Sequence, residues 1–307
     1  MNELKNRSEL LFLYDVKDCN PNGDPMDENK PRIDEETRIN IVTDVRLKRT
    51  IRDYLYNFKG YDGTKEKDIF CRQTEAEKDG VKGGINDGKG RAENFGITKE
   101  EKVTNILGKC IDVRLFGGVI PLDKDSITYT GPVQFKMGRS LHQVELKHLK
   151  GTGAFASKAG ANQQTFREEY VLPYSLIAFY GVINENAAKY TGLTEEDASE
   201  LVDAMWSGTK NLLSRSKMGH SPRLLIRVIY KEANFFIGEL DKLVIMKTAM
   251  SDEKIRDISE VEIDLQLFTD KITKNKEKIL KIILVKGDRC KLINYDSIKN
   301  LIEEKTL

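Results

Sequence analysis

The apolar positions of this chain fall into short runs separated by long polar stretches, and the runs alternate between two periods. Residues 8–17 (SELLFLYDVK) are apolar and aromatic in nearly continuous order, which predicts a strand buried on both faces. The turn that follows, DCNPNGDP from Asp18 to Pro25, is dense in Asn, Pro and Gly. From Thr43 the period becomes helical: Thr43 can cap, Asp44 suits the positive helix end, and Leu47, Ile51, Tyr54, Leu55 and Phe58 share one side. A helix over 103–116 ending at Gly117-Gly118, and strands over 126–137 and 170–183, come next. Thr194, with acids in the following turn, opens an amphipathic helix whose apolar side carries Ala198, Leu201, Val202, Met205, Trp206, Leu212 and Leu213. Strands are predicted over 223–230 (RLLIRVIY), 242–247 and 278–285. Strand, helix, strand, repeated twice, is the ferredoxin-like α+β pattern of RNA-recognition (RRM-like) domains, here spanning 1–307 as one domain. Two stretches, 60–98 and 139–168, are Gly-containing and polar and read as mobile insertions rather than core.

Bulk composition narrows the function class. With 39% hydrophobic and 32% charged residues the chain has a soluble globular profile, and no stretch approaches the roughly 18 apolar residues of a membrane span. The N-terminal MNELKNR lacks the apolar run of a secretory signal. Cys19, Cys71, Cys110 and Cys290 are scattered and never form C-x-x-C, which points to a reducing, cytoplasmic setting without a disulfide framework or zinc site. Net charge is only +1, but charge is segregated. Residues 18–36 hold seven acids against Lys30 and Arg32, whereas 209–231 hold six bases and no acid, and 134–167 hold six bases against Glu145 alone. One basic groove and one acidic flank can therefore coexist on a nearly neutral protein.

Candidate chemistry is sparse. Asp18, Asn20, Asn22 and Gly23 match the first half of a calcium loop, but the twelfth position is Asn29 rather than Glu, and a strand precedes it. The segment reads better as a rigid turn whose Asn amides can also touch phosphate or ribose. There is no G-x-x-x-x-G-K-[ST], no H-E-x-x-H and no G-x-S-x-G. His142 and His148 fall in an insertion with no apolar pocket to tune them. No catalytic residue, metal site or cofactor is expected. The basic candidates are Arg46, Lys48, Arg49 and Arg52 on the first helix, with Asp44 and Asp53 as nearby counter-charges. The others are Lys217, His220 and Arg223 on a Gly/Pro loop and the strand after it.

The stretch LFLYDVKDCNPNGDPMDENKPRIDEETRINIVTDVRLKRTIRDYL resembles the opening of the backbone subunit of type I CRISPR Cascade complexes, the type I-B branch most and I-C next. DVRLFG (112–117), TGPVQF (130–135) and Gly138-Arg139-Ser140 are similar to that family as well. The resemblance implies an RRM-like palm, a finger insertion at 60–100 and a thumb β-hairpin at 139–168, in subunits stacked head to tail along a guide (crRNA). Asn20, Asn22, Arg46, Lys48, Arg49 and Arg52 would then face the guide backbone, with Lys217, His220 and Arg223 beside them. Gln134, Met137, Arg139, Ser140 and His142 would sit at the thumb root, and Lys158 and Arg167 on the thumb. The aromatic signature of ordinary RRM sheets is missing, so backbone contact is expected to dominate base stacking. The implied partners are crRNA, target DNA paired to it, further copies of the chain, other Cascade subunits and a recruited helicase-nuclease. One rival stays open: a type III-like, metal-dependent ribonuclease using Asp18 or Asp24. Another is an RNA chaperone acting alone.

Overall fold

The computed structural model describes residues 3–78, 81–96, 104–122, 125–156 and 164–307. Among them, nine strands form one sheet: β1 (Ser8–Cys19), β2 (Ile39–Val42), β3 (Val133–Phe135), β4 (Gly138–Gln143), β5 (Lys147–Ala156), β6 (Gln164–Ile183), β7 (Ser221–Tyr230), β8 (Ile279–Lys286) and β9 (Ile302–Glu304). The order is β9-β8-β7-β1-β6-β4-β2, with β3 and β5 also pairing β6. β1 lies at the centre, antiparallel to β6 (Phe12 opposite Phe179) and to β7 (Phe12 opposite Leu225). Helices α1 (Asp44–Phe58) and α2 (Glu195–Lys210) pack side by side on one face.

The continuous apolar run of β1 has a direct structural consequence. Leu10 and Phe12 join Leu47, Ile51, Leu55, Leu201 and Met205 beneath the helices. Leu11 and Leu13 point the other way, against Leu240, Ile258, Ile263 and Phe268 from the C-terminal third of the chain. Each of these four β1 side chains is essentially inaccessible, so each contributes about 1.5–3 kcal/mol of burial. The sheet face that an ordinary RRM leaves open is therefore covered here.

Local signals place both helices. Thr43 caps α1, its Oγ1 accepting the Arg46 N–H at 3.3 Å. Thr194 and Asp197 form a reciprocal capping box on α2. Several expectations need correction. The 60–98 stretch carries core: Phe70, Ala92, Ile106, Cys110, Val113 and Ile120 form a third apolar cluster. The single helix expected over 103–116 is two, Thr104–Lys109 and Ile111–Phe116, broken at the extended Cys110, which bridges Asp68; Val103 lies outside the described residues. The strand expected over 126–137 is interrupted at Gly131-Pro132. There Gly131 crosses the Phe116–Gly117 backbone so closely that a Cβ would lie 2.0 Å from the Phe116 carbonyl carbon. The second polar stretch is ordered strand at both ends: β4 joins the sheet, and β5 pairs β6 from Lys147 opposite Val171 to Ala156 opposite Gln164. Leu213 lies beyond the end of α2 and is 86% exposed rather than part of its apolar side.

Candidate nucleic-acid interface

The Asn-rich turn after β1 is built into its surroundings. Asn22 Oδ1 accepts from both the N–H and Oγ1–H of Thr43, at 2.8 Å each, and so holds the start of α1. Asn20 is buried; its Nδ2 donates to the Asn29 carbonyl at 2.6 Å, and its own carbonyl accepts from the Lys217 ammonium. One turn thus ties together α1 and the 214–220 loop, which sequence could only name separately.

Between them opens a groove of about 1110 Å³. Arg46, Arg49 and Arg52 of α1 form one wall, Cys71, Arg72 and Arg91 of the 60–98 stretch another, and Leu213 and Lys217 the rim. Tyr54, Tyr56 and Phe58 line it as well. Lys48 does not line the groove: it pairs with Asp44 at 2.9 Å and lies over the Phe116 ring. The ridge expected from α1 is therefore split. Arg49 is 66% exposed, with Asp53 at 2.7 Å, while Arg52 reaches inward to the buried Asp112 at 3.0 Å. Asp112, from the DVRLFG block, also accepts from the Phe70 and Cys71 N–H groups at 2.8 and 3.0 Å, joining α1 to the groove's second wall. Sequence reasoning missed Arg72 and Arg91, because the stretch holding them read as solvent-exposed.

Burial and pairing sort the remaining cations. Six arginines with little exposure each face a carboxylate: Arg7 with Glu185 (2.7 Å), Arg52 with Asp112, Arg91 with Asp68 (2.6 Å), Arg114 with Asp197 (2.8 Å), Arg223 with Asp15 (2.9 Å) and Arg227 with Glu195 (2.6 Å). Half the basic tract at 209–231 is consequently not one surface. Arg223 and Arg227 are committed inside the fold, and Arg215 pairs with Glu169 at 2.9 Å. Arg46 and Lys217 differ, because neither has a carboxylate within ion-pair distance among the described residues. Arg46 donates to Thr50 Oγ1 at 2.9 Å. Burial lowers the affinity of both for their protons, and the neighbouring Arg46 helps push Lys217 down to about 8. His220 is buried against the Tyr14 ring, its Nε2 has no hydrogen-bond partner among the described residues, and burial with Lys217 and Arg46 pushes it down to about 3.

Of the other candidates, Gln134 lies on β3, Met137 between β3 and β4, Arg139, Ser140 and His142 on β4, and Arg167 on β6. Gly138 pairs with Val42, one residue before the α1 cap, which puts the exposed Arg139 and the 54% exposed Met137 beside that helix start. Gln134 Nε2 donates to the Gly131 carbonyl at 2.9 Å. Ser140 and His142 are buried. Ser140 Oγ donates to the His142 carbonyl at 2.6 Å and accepts from the Asn40 N–H at 2.9 Å. His142 stacks on Tyr174, its Nε2 accepting the Leu176 N–H at 3.2 Å and its Nδ1 lying 2.8 Å from the Gln143 carbonyl. That corrects the view of His142 as untuned; burial holds its pKa below the ordinary imidazole value. Arg167 pairs with Gly151 in the β5–β6 ladder, and Lys158 lies outside the described residues.

A family model described as "CRISPR-associated protein Cas7" matches residues 6–266. A curated protein of Haloferax volcanii described in the same words is 34% identical over 315 residues, covering 94% of this chain and 88% of that protein. Among solved structures, a chain of a "CRISPR RNA-guided surveillance complex, pre-nicking" superposes with TM-score 0.58 at 10% identity, covering 97% of this chain and 96% of that one. A chain of a "CRISPR RNA-guided surveillance complex" does so with TM-score 0.52 at 12% identity, covering 96% of each. At these identities the structural likeness is one of fold.

Proposed function

This chain belongs to the CRISPR-associated Cas7 family, and from that premise we propose that it is a non-catalytic backbone subunit of a type I, I-B-like surveillance complex. It binds crRNA along the basic groove and presents it to target DNA. The observation that carries this reading is the groove itself, in which α1, the 60–98 stretch and the 214–220 loop converge cationic side chains from three distant parts of the sequence. Guide sequences vary, so the coat must grip phosphate without reading bases, which lysine and arginine do. Specificity then passes to Watson–Crick pairing.

In this reading the strand order β7-β1-β6-β4 with α1 and α2 on one face is a ferredoxin-like, RRM-like palm, the 60–100 region the finger and the β5–β6 hairpin the thumb. Arg46, Arg49, Arg52 and Lys217 meet the guide backbone, joined by Arg72. Met137 and Arg139 stand at the thumb root as wedge and anchor. Asn20, Asn22, Ser140, His142, His220 and Arg223 act by holding those groups in place. Copies stack head to tail, and an interface that does not close on itself generates a filament along a linear guide. Other Cascade subunits and a helicase-nuclease complete the cytoplasmic assembly. Asp24, one of the two aspartates the ribonuclease alternative would use, pairs with Arg32 at 2.6 Å and accepts the Met26 N–H at 3.0 Å. A carboxylate so engaged supports a structural role for the turn.

The test is purification of the chain with and without its complex partners, followed by sequencing of any co-purifying RNA. Guide-derived RNA with regularly spaced nuclease protection is expected. RNA-free protein that fails to bind a guide, or magnesium-dependent cleavage of complementary RNA lost in Asp24→Ala, would overturn it.

A further inference from the structure

Where the β5–β6 hairpin leaves the sheet, it is held from both of its faces. In the ladder His148 stands opposite Tyr170 and Leu149 opposite Glu169. Successive strand residues point to opposite faces, so Tyr170 and His148 share one face of the hairpin and Glu169 lies on the other. On the first face Tyr170 meets the acidic stretch that follows β1. Its hydroxyl donates to Glu28 Oε2 at 2.8 Å, the Lys30 ammonium lies 5.2 Å from its ring centroid, and the His148 ring stacks on it at 4.4 Å. Lys30 is fixed in turn by Asp27 at 2.7 Å and Glu28 at 3.4 Å. On the second face Glu169 accepts from Arg215 of the 214–220 loop at 2.9 Å. The two jaws are themselves joined: the Asn20 N–H donates to the Ser216 carbonyl at 3.1 Å, and the Cys19 thiol to the Met218 carbonyl at 2.9 Å. Among the described residues β5 pairs with β6 alone, and a two-stranded ribbon does little to hold its own angle.

We propose that Tyr170 and Glu169 are positioning residues: gripped by Glu28 and Lys30 on one face and by Arg215 on the other, they set the angle of the hairpin to the palm, and with it the regular interval at which successive copies hold a guide. Glu28 and Arg215 are largely exposed, at 66% and 53%, and surface contacts of this kind contribute little to global stability. What they supply is direction. A hairpin tied on one face can still swing away from that side, whereas ties on both faces oppose motion either way. None of these side chains lines the groove, so they act on the guide only through the hairpin. The consequence for the guide rests on the backbone-subunit reading, with the hairpin as thumb, while the angle itself can be measured without RNA.

The experiment uses the full-length chain and compares the wild type with Tyr170→Ala/Arg215→Met and with the conservative Glu28→Gln/Arg215→Lys, which keeps an acceptor for the hydroxyl and a cation for Glu169. For the angle, spin labels go on Lys150→Cys of the hairpin and Tyr190→Cys of the helix Glu185–Thr191, both exposed positions, in a Cys71→Ser background, since the other cysteines are buried. Pulsed EPR should give a narrow distance distribution in the labelled parent, a broad one in Tyr170→Ala/Arg215→Met, and a narrow one again in the conservative variant. Without labels, the thermal midpoint of Tyr170→Ala/Arg215→Met should fall by less than about 2 °C. Its affinity for an oligouridine too short for two copies should stay within about twofold of wild type, because the groove is untouched. On a long single-stranded RNA its nuclease protection should lose the regular spacing that the wild type and the conservative variant keep. An unbroadened distribution, or wild-type spacing in Tyr170→Ala/Arg215→Met, would overturn the clamp and leave the backbone-subunit reading standing. So would a loss of short-oligonucleotide affinity as large as the loss on long RNA, which would place the damage in the groove. A wild type without regular protection, beside a variant whose distances do broaden, would remove the backbone-subunit reading and keep the clamp.

Discussion

Asp112 is the residue whose removal should be felt most widely. Its carboxylate is fully buried and takes three donors: Arg52 Nε at 3.0 Å, Phe70 N–H at 2.8 Å and Cys71 N–H at 3.0 Å. Asp112→Ala strands all three. Breaking a buried ion pair from one side costs about 3–5 kcal/mol, and an unmet buried N–H about 1–3 kcal/mol. Arg52 lines the open groove and can recover water, so a total near ~4 kcal/mol is expected. Spread over a chain of this length, that lowers the thermal midpoint by about 6 °C. In urea the midpoint should fall with the slope unchanged, and hydrogen exchange should accelerate at the Phe70 and Cys71 amides. In an Arg52→Met background the same substitution should cost about 1–3 kcal/mol less, since one stranded charge is already gone. A loss under ~1 kcal/mol in the wild-type background, or unaltered exchange at those amides, would refute the claim that Asp112 fastens α1 to the groove's second wall.

Reversal of the groove's accessible charge is best done at Arg49, because Arg52→Glu would set a carboxylate against buried Asp112 and unfold the protein; Arg49→Glu should weaken RNA binding at least tenfold while moving the urea midpoint little, read by fluorescence anisotropy beside denaturation. Gly131→Ala should destabilise by about 2 kcal/mol or more, because its Cβ meets backbone rather than a flexible side chain; calorimetry would show it. RNA affinity should fall as pH rises through about 8. Lys217, which there faces Arg46 from α1, Cys19 from β1 and the Asn20 carbonyl, must be protonated to hold phosphate; proton uptake on binding, followed by calorimetry in buffers of different ionisation enthalpy, checks the sign. The buried His142 and His220 are held below the ordinary imidazole pKa, so their contribution is intact above about pH 6.5 and lost as pH falls below it; His220→Asn should flatten the midpoint-against-pH curve over that range.

Much of the frame was legible in the residues alone. The β1 run, the Thr43 and Thr194 caps, α2 and β7 rest on interactions within about four residues or on simple alternation, and a one-dimensional pattern carries that information. The Asn20–Pro25 turn was equally visible. Its use was not, because the partners it joins, Thr43 and Lys217, are far along the chain.

What only tertiary structure decided is the fate of each charge. Arg52 and Asp112 are 60 residues apart, and Arg227 and Glu195 are 32 apart. Nothing local distinguishes a base that will meet an acid inside the fold from one that will face a groove. The 60–98 stretch looked unstructured because its few apolar residues are buried by partners from beyond it: Phe70 and Ala92 by Ile106, Cys110, Val113 and Ile120, and Tyr61 and Ile69 by the main core. Composition determined that basic residues gather in two tracts; long-range packing chose which basic residues are neutralised and, among the described residues, left Arg46 and Lys217 without a carboxylate at ion-pair distance, because ion pairing depends on distance in space and not on order in the chain.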